Sequence, residues 1–465
     1  MKEVQTLGVL PLGRPTFDVA FAEEKLAAML NALSATGKTL IGPGRLLMDG
    51  EETEAAIRDV AAAGPDAVLI LQVTFTDAVA TMRIASAFDK PIAIWAVPEP
   101  RLGGRLRLNA FCGLNLASHA LGRAERAFSW IYADPAEARI GSELAALFDG
   151  ARQVSPLTGT PPSGDSQAGQ RIAEGLDGKR IGRLGAHPDG FDTCRYDAKK
   201  LSGLAGIEVE ELALQGLFDR AGEVPDAALS GIRQTAEAEL SGLGDVDQDQ
   251  LDRSLRLKAA IDAIRQDGGY DAFAIRCWPE TFTEYGGAVC GPVSMMGEAR
   301  VPCACEADVY GAATQLLLQA AADAPVFLVD LVDMDADDNT GVVWHCGQAP
   351  VSMADPATKP TATIHTNRKM PLLYEFKLKP GPVTFLRLSQ ARGRHAMIIA
   401  TGEMIDRPMA FTGTSGVVRF ERPVADVLPD IMNCGLEHHM ALAYGDHGEK
   451  LLDVASALDL PVIRL

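Results

Sequence analysis

Glu306, Asp330 and His345 lie in one stretch, VPCACEADVYGAATQLLLQAAADAPVFLVDLVDMDADDNTGVVWHCGQAP, residues 301–350. Two carboxylates and an imidazole offer mixed oxygen and nitrogen donors, a set that suits a divalent ion of the Mn²⁺ kind. They serve only if the chain brings them together, and the surrounding pattern predicts this. Val301–Cys305 reads as an apolar strand delivering Glu306. Val309, Ala312, Leu316, Leu317 and Ala320 recur near a 3.6-residue period and predict a helix. Pro325–Val329 reads as a second buried strand, delivering Asp330. A strand–helix–strand unit is parallel, so both carboxylates are expected at one edge of one sheet, where open α/β sheets place ligands. A polar turn at Asp335–Asn339 then leads into Gly341–Trp344, a strand ending at His345. Taken singly, Glu306 also reads as a neighbour of a helix N-cap and Asp330 as a strand-end cap. The metal reading rests on their conjunction.

Other residues extend the list. His438 and His439 fall in CGLEHHMALAYGDHG; adjacent residues of an extended segment point to opposite sides, so only one is expected to face a given site. Arg14, in GRPTFD after the first strand, has a planar fork suited to a substrate hydroxyl, phosphate or sulfonate, while Asp18 or Thr16 can cap the helix that follows. Trp95 and Glu99, in IWAVPEPR, are candidates for the wall of a neighbouring subunit's site. His187, in GAHPDGFDTC, and Glu280, in CWPE, occupy similar strand-end positions; Glu280 is a candidate acid, base or partner of a metal ligand. Each of these also reads as an ordinary packed or solvated strand-end residue. No GxSxG elbow and no GxGxxG after the first strand are found, which argues against a serine hydrolase and a dinucleotide site.

The elements that must position these residues form an α/β chain of two or three domains. Residues 1–151 alternate strands (4–10, 38–41, 67–71, 91–97) with helices (18–33, 51–63, 77–87, the last capped by Thr76), as in a doubly wound parallel sheet. Residues 152–175, rich in Pro, Ser and Gly, read as a linker or loop. Residues 176–355 read as a second doubly wound domain carrying the carboxylates, with acidic helical scaffold at 226–239 and 251–266. Residues 356–465 hold short strands at 361–365, 374–378, 383–388, 396–401 and 417–420, then a helix (449–458) and a strand (461–465). Turns between them predict a small antiparallel barrel-like domain.

A net charge of −19 argues against nucleic-acid or anionic-membrane partners while permitting one local basic pocket. No apolar run reaches membrane-spanning length and no signal peptide is evident, so a cytoplasmic protein is expected. Its eight cysteines read as reduced core residues.

With these residues in view, the sequence resembles the L-fucose isomerase/L-arabinose isomerase family. The likeness is strongest over Ala272–Pro350 and at the late His-His. In that light ACEADVYGA presents Glu306 and PVFLVDLVD presents Asp330 as the two acids. WHCGQAP presents His345, as in the arabinose branch, and LEHHMALAYG presents His439. The resemblance implies that these four hold a Mn²⁺-class ion and bind a monosaccharide. It implies aldose–ketose isomerisation through an ene-diolate, with Glu306 and Asp330 as the acid/base pair. It also implies a homo-oligomer, trimer or hexamer, with sites between subunits. The shorter chain and the surroundings VYGAATQ and LVDMDADDN follow neither named enzyme, which points to a divergent branch. One alternative within such a branch is a related metal-dependent epimerase, or an isomerase of an anionic sulfo- or phospho-sugar, whose charge Arg14 would meet. Substrate-binding candidates are Arg14, Trp95, His187, Glu280 and His438. A non-catalytic sugar-binding protein is the alternative, and it would lack the ligand set.

Overall fold

In the computed structural model, which describes residues 4–164 and 166–465, the first apolar strand, Thr6–Leu12, sits inside a five-stranded parallel sheet. The order is Thr39–Ile41, Thr6–Leu12, Ala67–Gln72, Ile92–Ala96, Phe128–Tyr132. Helix Val19–Ser34 begins on Asp18, whose carboxylate accepts the Phe21 N–H. Thr76 does not cap the helix Val79–Ala87: its hydroxyl accepts from Gln72, and Asp77 takes the Val79 N–H instead. Strand order turns back between Thr6–Leu12 and Ala67–Gln72, so their carboxyl ends flank a crevice. Arg14 and Phe75 emerge into it. Helix Ala110–Arg123, absent from the periodicity reading, is buried from Ala110 to Gly122 between this sheet and the strand Phe327–Asp335. A helix buried on every side has no polar face, hence no stripe to read.

A second parallel sheet runs Glu208–Leu212, Arg180–Leu184, Ala272–Ile275, Cys303–Ala304. The strand Phe327–Asp335 does not join it, which corrects the strand–helix–strand unit expected around Glu306 and Asp330. That strand pairs antiparallel with Thr340–His345 and with His439–Tyr444 in a nine-stranded mixed sheet. The reason lies in the intervening helix, Val309–Ala322. It is apolar nearly all round, packing on Ala272–Ile275 of one sheet and on His439–Tyr444 and Gly381–Ser389 of the other. Wedged between two sheets, it carries the chain from the first to the second.

Within the large sheet, six strands pair antiparallel in a closed cycle: Phe327–Asp335, Thr340–His345, Thr414–Phe420, Ala396–Ile405, Gly381–Ser389, His439–Tyr444 and back to the first. Parallel pairings add Leu373–Lys377 and Val462–Arg464 at its margins. The unit is thus larger and more mixed than the small antiparallel domain expected after residue 355, and it takes its first strand from residue 327. The stretch expected as a linker is packed: Thr160 bridges to Val462, and helix Gln167–Glu174 lies on helix Gly448–Ala457. Asp165 within that stretch falls outside the described residues. Among the described residues, no helix is long and apolar enough to cross a membrane.

Candidate active site

A pocket of about 840 Å³, its mouth included, opens where the carboxyl ends of the two parallel sheets' strands face the large mixed sheet. Its floor carries Glu306, Asp330, His345 and His438, and Trp278, Arg14 and Arg368 stand above. Glu306 follows the two-residue strand Cys303–Ala304 and adopts a left-handed backbone (φ 58°). Such strain in a non-glycine residue persists only where the surroundings over-determine it. Here the Trp278 indole N–H donates to Oε1 (3.0 Å) and His438 Nε2 lies 2.9 Å from Oε2.

Asp330 is not at a strand end. It sits within Phe327–Asp335, in register with Trp344 on one side and His439 on the other. Residues directly opposite across a ladder share a face, and His439 Nε2 accordingly lies 3.5 Å from Asp330 Oδ1 and 3.8 Å from Glu306 Oε2. His345, the last residue of Thr340–His345, stacks on the His439 ring at 5.7 Å. Both histidines of the His-His pair reach Glu306, contrary to the alternation expected of a strand. His438 precedes the strand, which begins at His439, so its backbone is not bound to the pleat.

Three atoms stand out. Asp330 Oδ1, His345 Nε2 and His439 Nε2 are buried without a hydrogen-bond partner among the described residues, and ligand atoms of these three residues lie within 4.8 Å of one another. A buried polar atom left unpaired is costly, and three on residues whose ligand atoms lie this close form a group that could hold a cation. A second group, Cys194, Glu306, His438 and His439, meets the same distance criterion and shares His439 with the first.

The histidine geometry is enforced from behind by Asp308, which the sequence reading did not single out. Its Oδ1 accepts the Gly311 N–H at the start of helix Val309–Ala322 (2.8 Å), and Oδ2 lies 3.0 Å from His439 Nδ1. With the proton held on Nδ1, the Nε2 lone pair is free to point at Asp330 and Glu306. Arg387, fully buried in strand Gly381–Ser389, grips Asp308 with two nitrogens (2.6 and 3.1 Å). Glu437, also fully buried, lies 3.7 Å from Arg387 Nε and accepts from Ser389 Oγ and Gln390 N. His345 Nδ1 accepts the Cys346 N–H (2.9 Å) and lies 3.3 Å from Cys346 Sγ, which leaves the proton of the neutral ring on Nε2, so that binding a cation through Nε2 requires that proton to leave.

Electrostatics follow from these contacts. Burial by itself raises a carboxyl pKa, yet the hydrogen bond and charge of His438, with His439 and Trp278, bring Glu306 down to about 2. Burial is likewise overcome at Asp308, where Arg387 and His439 hold the carboxyl far below the usual range. Burial works to lower His438, but Glu306, Asp330 and Asp308 raise it. Glu306 in the pocket and Asp308 behind it are therefore held ionised against the neighbouring imidazoles.

The remaining candidates divide. Arg14 lines the pocket, paired to Asp77 at 2.8 Å. Trp95 is fully buried, its Nε1 donating to Ala133 O (2.9 Å), so a place in a site, this subunit's or a neighbour's, is corrected: a core indole presents no surface. Glu99 instead accepts the N–H groups of Arg107, Leu108 and Asn109. Glu280 is tied to Arg276 (2.6 Å), four residues earlier in the chain, and does not line the pocket. His187 borders a separate basic cavity with Arg123, Arg183, Arg195 and Lys200. Two missed residues had a visible signal: Asp308 is the second acid of E-A-D, and Arg387 interrupts the apolar strand TFLRLS.

The chain is similar to known proteins along most of its length. Residues 8–158 match the model described as "Fucose/sulfoquinovose isomerase, N-terminal domain", and residues 343–465 the "L-fucose isomerase, C-terminal domain". The chain is 31% identical to a protein of Priestia aryabhattai named sulfoquinovose isomerase, over 98% of both chains. It is 30% identical to one of that name from Alkalicoccus urumqiensis and 28% to one from Clostridium sp. (strain MSTE9), over 99% of each.

Proposed function

Because the chain belongs to the L-fucose isomerase-like family and is an aldose–ketose isomerase, we propose that its substrate is a sulfonated hexose, with sulfoquinovose the first to test. The observation that carries the chemistry is the convergence of Asp330 Oδ1, His345 Nε2 and His439 Nε2, all partnerless, beside Glu306. The donors fit a divalent ion: mixed carboxylate oxygen and imidazole nitrogen suit Mn²⁺, and Asp330, His345 and His439 would hold it, with Glu306 alongside. Such an ion supplies positive charge for the oxygen that becomes negative during isomerisation.

The rest is the work of this chain's own side chains. Glu306 and Asp330 flank the place where C1 and C2 of the sugar lie. One carboxylate removes the proton from C2 and the pair returns a proton to C1, while the hydroxyl proton passes between O1 and O2, completing aldose to ketose through an ene-diolate. Trp278 and His438 hold Glu306 in place, and Asp308 holds His439. The walls of Phe17, Phe75, Leu106 and Phe282 shield the reacting carbons from bulk water. A reducing, cytoplasmic setting is supported by eight free cysteines, among them Cys277 and Cys305 with sulfurs 3.0 Å apart. A trimer or hexamer completes the proposal, and light scattering on the purified protein reads it directly.

The test is isomerisation of sulfoquinovose in D₂O by the purified protein, before and after chelation and with Mn²⁺ restored. Metal-dependent deuterium incorporation at C1 or C2, abolished in Glu306→Gln and Asp330→Asn, is the expected result. Turnover that survives complete chelation would remove the metal from the proposal, and turnover without solvent deuterium would remove the proton-transfer route.

A further inference from the structure

Two arginines approach the same indole in the upper pocket. The guanidinium carbons of Arg14 and Arg368 lie 5.4 and 5.5 Å from the Trp278 ring centroid. Arg14 has Asp77 as counter-ion. Arg368 has no carboxylate within ion-pair distance among the described residues, and both burial and the neighbouring Arg14 lower its pKa. Asp77 offsets Arg14 and leaves Arg368 without a countercharge, beside Arg105, which likewise has no carboxylate within ion-pair distance among the described residues, so this end of the pocket is net positive. In a chain of net charge −19 such an unneutralised pair needs a reason.

The loop carrying Arg368 is built for its position. His365 Nδ1 faces the N–H groups of both Asn367 and Arg368 (3.2 Å each). Arg105 then donates to Asn367 Oδ1 (3.1 Å) and to Thr16 O (2.6 Å), tying this loop to the one that carries Arg14. Trp278 relates the pair to the reacting end: its face lies toward the two guanidiniums while its Nε1 donates to Glu306. One side chain thus spaces a cationic subsite from the carboxylate that faces C1 and C2.

We propose that Arg368 and Arg14 receive the anionic group at the far end of the hexose, and that Arg368 is the residue that selects charged over uncharged sugars. This rests on the sulfonated-sugar reading above. Planar guanidinium forks match the oxygens of a sulfonate. Arg14, already paired, positions; Arg368, unpaired, discriminates.

The experiment compares steady-state kinetics on sulfoquinovose and on 6-deoxyglucose, the same hexose without the sulfonate, for the wild type, Arg368→Gln and Arg368→Lys. Competitive inhibition by methanesulfonate is measured in parallel. Arg368→Gln is expected to raise KM for sulfoquinovose by roughly 10- to 100-fold, the worth of a charge-assisted hydrogen bond. The effect on kcat is expected to be far smaller, the ratio of kcat/KM between the two sugars should fall by a similar factor, and Arg368→Lys should recover part of it. An equal loss on both sugars, or an unchanged ratio, would overturn the assignment. If the wild type prefers sulfoquinovose and Arg368→Gln keeps that preference, the subsite falls while the substrate reading stands. If the wild type does not distinguish the sugars but binds methanesulfonate only when Arg368 is present, the substrate reading falls and the subsite stands.

Discussion

Replacing Asp308 with Asn isolates the charge that supports the proposed metal-binding histidine. The change keeps size and shape, and Asn is as good a helix N-cap as Asp, so the bond to the Gly311 N–H has a replacement acceptor. What is lost is the negative charge between Arg387 and His439. Arg387 is fully buried, and its two contacts to Asp308, at 2.6 and 3.1 Å, are its closest ionic ones; Glu437 lies farther off at 3.7 Å. Breaking a buried pair on one side costs about 3–5 kcal/mol, with Glu437 retaining part of the compensation. Chemical denaturation of Asp308→Asn should therefore show a lower midpoint. A merely structural role would stop there. The geometry predicts more, because Asp308 fixes the proton on His439 Nδ1 and so the lone pair on Nε2. Loss of such a supporting partner weakens metal affinity by roughly 10- to 100-fold. The assay is Mn²⁺ titration by competition with a chelating dye, at a temperature and denaturant concentration where the variant is fully folded. Destabilisation with unchanged Mn²⁺ affinity would refute the claim that Asp308 orients His439 for a metal, and would leave Asp308 as a core ion pair.

Other predictions follow from the same geometry. In metal-free protein, Glu306 titrates at about 2 when folded, against an ordinary value of 4.5, so its contribution to stability is present above about pH 4.5 and is lost as pH falls toward 2. Glu306→Gln should flatten that acid limb of the denaturation profile; an unaltered limb would show that other groups govern it. Because the folded pKa of His438 is raised from 6.5, its contribution is full below that value and declines as pH rises through the folded one, which His438→Gln should abolish. Asp333 accepts from Tyr132 and Arg101 (2.6 Å each), joining the N-terminal sheet to the large mixed sheet. Asp333→Ala should cost about 3–5 kcal/mol in denaturation while preserving kcat/KM below the transition. Trp95→Phe leaves the Ala133 carbonyl unpaired at a cost of about 1–3 kcal/mol, with kinetics unchanged; a kinetic defect at full stability would return Trp95 to the site.

Much of the α/β framework is legible in local pattern, since amphipathic helices such as Val19–Ser34 and apolar strands such as Ala67–Gln72 bury one face or both and show it in their periodicity. The helix Ala110–Arg123 is the counter-example, silent because every face is covered. Candidate ligands are legible for a different reason: Glu306, Asp330, His345 and the His-His pair are polar residues set beside apolar runs, where burial without a purpose is expensive. Arg387 carries the same signal inside TFLRLS. Sequence by itself thus determined which side chains were worth suspecting and, through the family likeness, what chemistry to expect of them. Tertiary structure decided how they meet. Asp330 and Glu306, on different sheets, meet at His439, which pairs antiparallel with Asp330 and gets its orientation from an aspartate and an arginine far apart in the chain. Local periodicity says which face of a strand is buried. It does not say which partner strand covers the edge, because that choice is made by packing a doubly buried helix between two sheets at once.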